Sequence, residues 1–207
     1  MRARLFTLFM LFISSSLFAQ LKSPDEFLGY QLGSKFTPHY KIVNYFNQAV
    51  ASMPQMMQLQ KYGETNEGRD LLLAIVSTPE NMTKLDEIRK NNLRLTGILK
   101  DKAADATAPA IVWLSYNVHG NEASSSEVSM KTLYELLNPA NEQTKEWLKN
   151  TVVIIDPCLN PDGRDRYVHW FTQMVGKNAD ANINTREHSE PWPGGRVNHY
   201  NFDLNRD

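Results

Sequence analysis

The sequence has 207 residues, with 22 Lys and Arg against 23 Asp and Glu and 42% hydrophobic residues, which is the composition of an ordinary folded domain and not of a disordered chain. A formal net charge of −1, with no Lys/Arg cluster interleaved with aromatics, provides no field for a polyanion and excludes nucleic acid as the expected partner. Cys158 is the only cysteine, so an internal disulfide framework and a cysteine-rich zinc site are both excluded, and the residue reads as a small buried apolar side chain.

The opening MRARLFTLFMLFISSSLFAQ sets Arg2 and Arg4 before an apolar run from Leu5 to Phe18, with a small residue, Ala19, before Gln20. This pattern predicts a signal peptide over residues 1–19 and export to a periplasmic or extracellular space. The run is shorter than the ~20 residues that span a bilayer. No second run follows and no cysteine lies near the junction, so neither a stable membrane span after cleavage nor a lipid-modified anchor is expected. Residues 20–65 read as a lead-in region, in which Ile42, Tyr45, Phe46 and Ala49 fall at helical spacing and predict a helix ending before Pro54. DLLLAIVS (70–77) is short, apolar and preceded by Gly68, and predicts a strand. Residues 80–95, with Leu85 and Ile88 on one face, predict a helix.

AIVWLSYN (110–117), behind Pro109 and rich in Ile, Val and Trp, predicts a buried strand. Met130, Leu133, Tyr134 and Leu137 then repeat at helical spacing, and TVVIID (151–156) predicts another buried strand. Strands alternating with helices imply an α/β architecture whose sheet is largely buried. Between Pro157 and Asn205 almost no periodicity is visible, although the stretch is dense in Asn, Asp, Gly, Pro, His and Arg. Long unstructured connections inside a domain are uncommon and usually functional. The chemistry is therefore expected at two places, 119–122 and 157–206.

His119 and Glu122 sit three apart just beyond the 110–117 strand, where α/β sheets form their clefts. An imidazole nitrogen and a carboxylate oxygen converging at such a turn are ligand types of catalytic zinc, and Gly120 allows a sharp turn between them. On spacing alone the plainer reading is preferred, a solvated turn histidine and a glutamate stabilising a helix N-terminus. Near the end, GGRVNHYNFDLNRD (194–207) gathers Arg196, Asp203, Asn205 and Arg206. A guanidinium beside an amide suits a carboxylate, while the plainer reading is a surface loop whose arginines pair with local acids.

Taken together, HGNE (119–122), NPDG (160–163), GR…DLNR (195–206) and EGRDLLLAIV (67–76) resemble the metallocarboxypeptidases, the zinc carboxypeptidases of peptidase family M14. The motifs stand in the family's order over residues 66–207, and the GR…DLNR spacing resembles the branch of regulatory, basic-residue-removing enzymes. The resemblance implies a mixed, largely buried sheet flanked by helices, incomplete at its C-terminal end. It implies His119 and Glu122 as two of three protein ligands to one Zn2+, with Asp203 behind His119 fixing its tautomer. Arg196 would polarise the scissile carbonyl, and Asn205 and Arg206 would hold the terminal carboxylate of a peptide or protein substrate. Arg186 fits the Arg196 role less well, because its spacing to Arg206 differs from the family's.

In the family, the third zinc histidine, a capping tyrosine and the glutamate that activates the zinc-bound water all lie downstream of the NR pair. His169, His188 and His199, like Glu187 and Glu190, precede that point. The expectation is therefore that these residues form the N-terminal part of a longer protein, inactive by themselves. Two further readings stay open: an M14-like domain that binds peptides without cleaving them, and a hydrolase of the same fold acting on cell-wall peptides or N-acyl amino acids.

Overall fold

A computed structural model describes residues 20–206, so the expected signal peptide lies outside the described residues. The first elements are a short helix α1 (Pro24–Leu28), capped reciprocally by Ser23 and Glu26, and helix α2 (His39–Ser52). The expected helix is thus present, and Ile42, Tyr45, Phe46 and Ala49 are fully buried. They pack with Met130, Leu133 and Leu137 into one core cluster, each large apolar side chain contributing roughly 1.5–3 kcal/mol by leaving water.

Strands β1 (Met57–Glu64) and β2 (Asp70–Val76) form an antiparallel hairpin. The sequence reading missed β1, whose MQLQKYGE is mostly polar because only one of its faces meets the core. The predicted 80–95 helix is two helices, α3 (Pro79–Met82) and α4 (Leu85–Leu95). Next come β3 (Ala110–Ser115), α5 (Ser124–Leu137), α6 (Glu142–Lys149) and β4 (Thr151–Asp156). The strands form a four-stranded mixed sheet in the order β1-β2-β4-β3, with helices against it. β2 and β4 run antiparallel, β3 and β4 parallel.

Two expectations are corrected here. β3 is not buried: it is an edge strand among the described residues, and Val112 and Trp113 are 41% and 57% exposed. Its Ile-Val-Trp composition reported β propensity, not burial. The second correction is α7 (Pro161–Met174), a 14-residue helix inside the segment that showed no periodicity. Its first turns bury Asp162, Arg164 and Asp165 with only Pro161 and Val168 as apolar company, so a hydrophobic pattern could not reveal it. A 3-10 turn (Arg186–His188) is the last regular element. Cys158 is buried as expected, and burial pushes its thiol up to about 12.

His39, at the start of α2, donates its backbone N–H to Asp165 Oδ1 at 2.9 Å, while its buried ring nitrogens have no hydrogen-bond partner among the described residues. Burial pulls its pKa from 6.5 to about 4, against the opposing pull of the Asp165 carboxylate. Between those values the unfolded chain binds the extra proton, so stability is lost as pH falls. Chemical denaturation at pH 8 and pH 5 should show a loss of about 2 kcal/mol that His39→Leu removes. An equal loss in both proteins would contradict it.

Candidate metal centre

Because β3 and β4 are parallel neighbours, their carboxyl ends open side by side, and the segments leaving them are stitched together. Leu159 N–H donates to Tyr116 O at 2.9 Å and Asn160 N–H to Asn117 O at 3.1 Å. The 116–123 turn and the N-terminus of α7 therefore form one surface. Asn160 caps α7 through Gly163 N–H at 3.0 Å, with Pro161 in the first turn. The 189–206 segment lies across both. Arg166 donates to Gly194 O and Val197 O at 3.0 Å each, and Glu190 accepts from Gly195 N–H at 2.5 Å and Asn121 Nδ2 at 3.0 Å.

Three glycines allow this approach. A Cβ on Gly120 would overlap the backbone of Gly163, Arg164 and Gly195; one on Gly163 would strike the Gly195 carbonyl; one on Gly195 would strike Gly163 O and come within 2.9 Å of Tyr167 Cβ. The glycines of HGNE, NPDG and PGGR thus interlock where the three segments meet.

Five of the six site residues expected from the sequence meet through their side chains at this junction. His119 is 4% exposed. Its Nδ1 lies 3.0 Å from Glu122 Oε1 and its Nε2 2.7 Å from Asp203 Oδ1. Arg196 Nε donates to Asp203 Oδ2 at 3.1 Å, and Arg196 Nη1 lies 3.7 Å from Glu122 Oε1. Arg206 Nη1 reaches Asp203 Oδ2 at 2.9 Å and lies 3.3 Å from His119 Nε2. Asn205 is exposed and contributes only its backbone N–H, 3.1 Å from Asp203 Oδ1. Desolvation pushes the Asp203 carboxyl up, but hydrogen bonds from His119, the Asn205 N–H and Arg206 outweigh it and hold the group well below the usual carboxylate range.

This charge pattern tests whether the residues suit a metal. With an ionised Asp203 accepting a hydrogen bond from Nε2–H, the Nδ1 of that tautomer presents a lone pair to Glu122. Two acceptors 3.0 Å apart repel unless a proton or a cation lies between them. Nitrogen and oxygen ligands on one tetrahedral zinc stand about 3.4 Å apart. The donor set fits such an ion with a small adjustment.

Other candidates lie elsewhere. Arg186 Nε donates to Met174 O. Glu187 accepts from Asp180 N–H at 2.7 Å, and His188 Nε2 lies 2.7 Å from Asp180 O. Glu67, Asp162 and His199 also bring potential ligand atoms within 4.8 Å of one another. There Arg69 already pairs with both carboxylates, at 2.5 and 2.7 Å, and offsets part of their charge. Its effect is to fasten the 189–206 segment to the β1–β2 hairpin. Sequence reasoning missed Asn117 and Arg164, and named Glu190 only to set it aside as the water-activating base. The one available signal was the run of charged residues after NPDG at helical spacing.

A family model described as zinc carboxypeptidase, peptidase M14, matches residues 42–207. The chain belongs to the zinc carboxypeptidase family. The match begins within α2 and takes in the whole sheet. Among solved structures the chain is similar to thrombin activatable fibrinolysis inhibitor, with 17% identity over 64% of this chain and 27% of that one and a TM-score of 0.47. It is similar to carboxypeptidase A from Helicoverpa armigera, with 17% identity over 79% and 31% and a TM-score of 0.47. It is also similar to a metallo-carboxypeptidase from Burkholderia cenocepacia, with 20% identity over 65% and 29% and a TM-score of 0.44. The chain thus covers less than a third of each of these structures. No curated protein sequence matches it significantly.

The glycine junction can be tested directly. Gly120→Ala should lower unfolding stability by more than about 3 kcal/mol, since backbone on two sides must give way. Gly176→Ala, whose Cβ meets nothing closer than 3.4 Å, should stay within about 1 kcal/mol of wild type. Similar denaturation midpoints for the two variants would show that the segments are not interlocked.

Proposed function

We propose that the full-length protein is a zinc-dependent carboxypeptidase that removes C-terminal amino acids from peptides, with residues 66–207 forming the first part of its catalytic domain and residues 20–65 its lead-in. The observation that carries this reading is the 3.0 Å approach of His119 Nδ1 to Glu122 Oε1, with Asp203 against the Nε2 side of the imidazole. His119 and Glu122 would hold Zn2+ together with a ligand from the segment expected downstream. When bound, zinc supplies Lewis acidity and brings the pKa of a coordinated water toward ~7.

The chain's own residues then have separable tasks. Asp203 keeps the Nε2 proton on His119, so that Nδ1 remains a ligand. Arg196, beside Glu122, presents a fixed positive charge to the carbonyl oxygen of the bond to be cleaved, where negative charge develops. Arg206 and Asn205 offer a forked guanidinium and an amide to the substrate's terminal carboxylate. Arg206 is more than half exposed at its side chain, so an incoming carboxylate can reach it while Asp203 holds its other edge. No helix among the described residues is long and apolar enough to cross a membrane. The 1–19 segment supports export with cleavage after Ala19, and sequencing of the mature protein should then begin at Gln20.

A set of three variants in the full-length protein tests the reading. His119→Ala and Glu122→Ala should each lose bound zinc by metal analysis, since the remaining ligands hold the ion poorly. Arg206→Ala should keep its zinc and lose kcat/KM at least 100-fold on peptides with a free C-terminus, with little change on C-terminally amidated ones. Full zinc occupancy in both ligand variants would sink the metal assignment. Equal losses on the two peptide classes would refute the carboxylate clamp.

A further inference from the structure

We propose that Asn117, held in place by Arg164, is a positioning residue that sets the shape of the His119–Glu122 turn and so the spacing of the two ligand atoms. The link to zinc rests on the functional reading above; the shaping of the turn stands on geometry alone. Between β3 and α5 the turn has little structure of its own, with backbone bonds from Glu122 N–H to His119 O and from Ser125 N–H to Glu122 O at 3.1 Å. The carbonyls of His119, Gly120 and Glu122 all face one side-chain amide. Asn117 Nδ2 stands 2.6 Å from the first and 3.3 Å from each of the others.

The amide cannot be turned round. Its Oδ1 accepts from Arg164 Nη1 and Ser126 Oγ, each at 2.8 Å, and a guanidinium can only donate. Nδ2 must therefore face the turn. Asn117 is 2% exposed with φ +57°, a left-handed conformation that asparagine tolerates better than most side chains and that bends the chain so that its amide lies under the residues following it. Arg164 is itself fixed by Glu127 Oε1 and Oε2 at 2.9 and 3.0 Å, by Thr37 O at 2.8 Å, and by Ala123 O at the far end of the turn. Both ends of the ligand turn thus answer to one buried guanidinium, and its middle to the amide that the guanidinium orients.

Arg164→Ala would leave a buried carboxylate unpaired and is expected to prevent folding, so Asn117 carries the test. Glycine accepts φ +57° without strain, and Asn117→Gly removes the amide alone. In the full-length protein this variant should bind zinc about 10- to 100-fold more weakly in competition with a chromophoric chelator. Hydrogen exchange should quicken at residues 118–123 and stay unchanged in β4. Asn117→Asp keeps the acceptor for Arg164 and Ser126 but puts a carboxylate oxygen where the donor was, and should also weaken zinc. Unchanged zinc affinity in folded Asn117→Gly would overturn the proposal, as would full recovery in Asn117→Asp or unaltered exchange at 118–123. A wild-type protein that holds no zinc, yet shows quickened exchange confined to 118–123 in Asn117→Gly, would sink the metal reading and leave the positioning role standing.

Discussion

The guanidinium of Arg164 is wholly removed from water, and a charge so placed must be matched within the protein. Glu127 of α5 supplies the opposite charge, and Thr37, Asn117 and Ala123 supply neutral acceptors. Removing one member of such a pair typically costs 3–5 kcal/mol, because the other is left charged in a place it cannot leave. This group joins the entry to α2, the ligand turn, α5 and α7. Arg69 continues the pattern at the surface, tying Glu67, Asp162 and Asp165 together across the β1–β2 hairpin and α7.

The candidate centre is organised around one carboxylate in a similar way. Asp203 receives His119, Arg196, Arg206 and the Asn205 backbone N–H, so one group orients two arginines and the imidazole. Two positive charges beside one ionised aspartate leave one net positive charge, which the adjacent Glu122 carboxylate offsets.

The sequence revealed what is periodic or dense in motif, and little of what depends on buried charge. The Ile42–Ala49 spacing, the 70–77 strand and the Met130–Leu137 repeat all gave elements at the expected places, because each buries an apolar face. The helix after NPDG escaped notice because its inward face is Asp162, Arg164 and Asp165, and apolar periodicity is blind to a face satisfied by ion pairs. Of the site residues, five meet through their side chains, drawn together by spacing and family resemblance, while Asn205 takes part only through its backbone. Asn117 could not be singled out, since nothing local in YNVHGNE marks a positive φ or three inward-facing carbonyls.

The interlocked glycines bear on how such a site can change over time. Gly120, Gly163 and Gly195 belong to segments far apart in the chain, yet a side chain on Gly120 would need space held by the other two, and one on Gly163 or Gly195 would need space held by the other of that pair. A lengthened or re-angled loop in one motif must therefore be accommodated by the other two at once. Lineages that diversify from this chain are freest to vary at the rim, where Trp192, Tyr200 and Phe202 project into solvent. The contact between the three loops is the part that must be inherited whole.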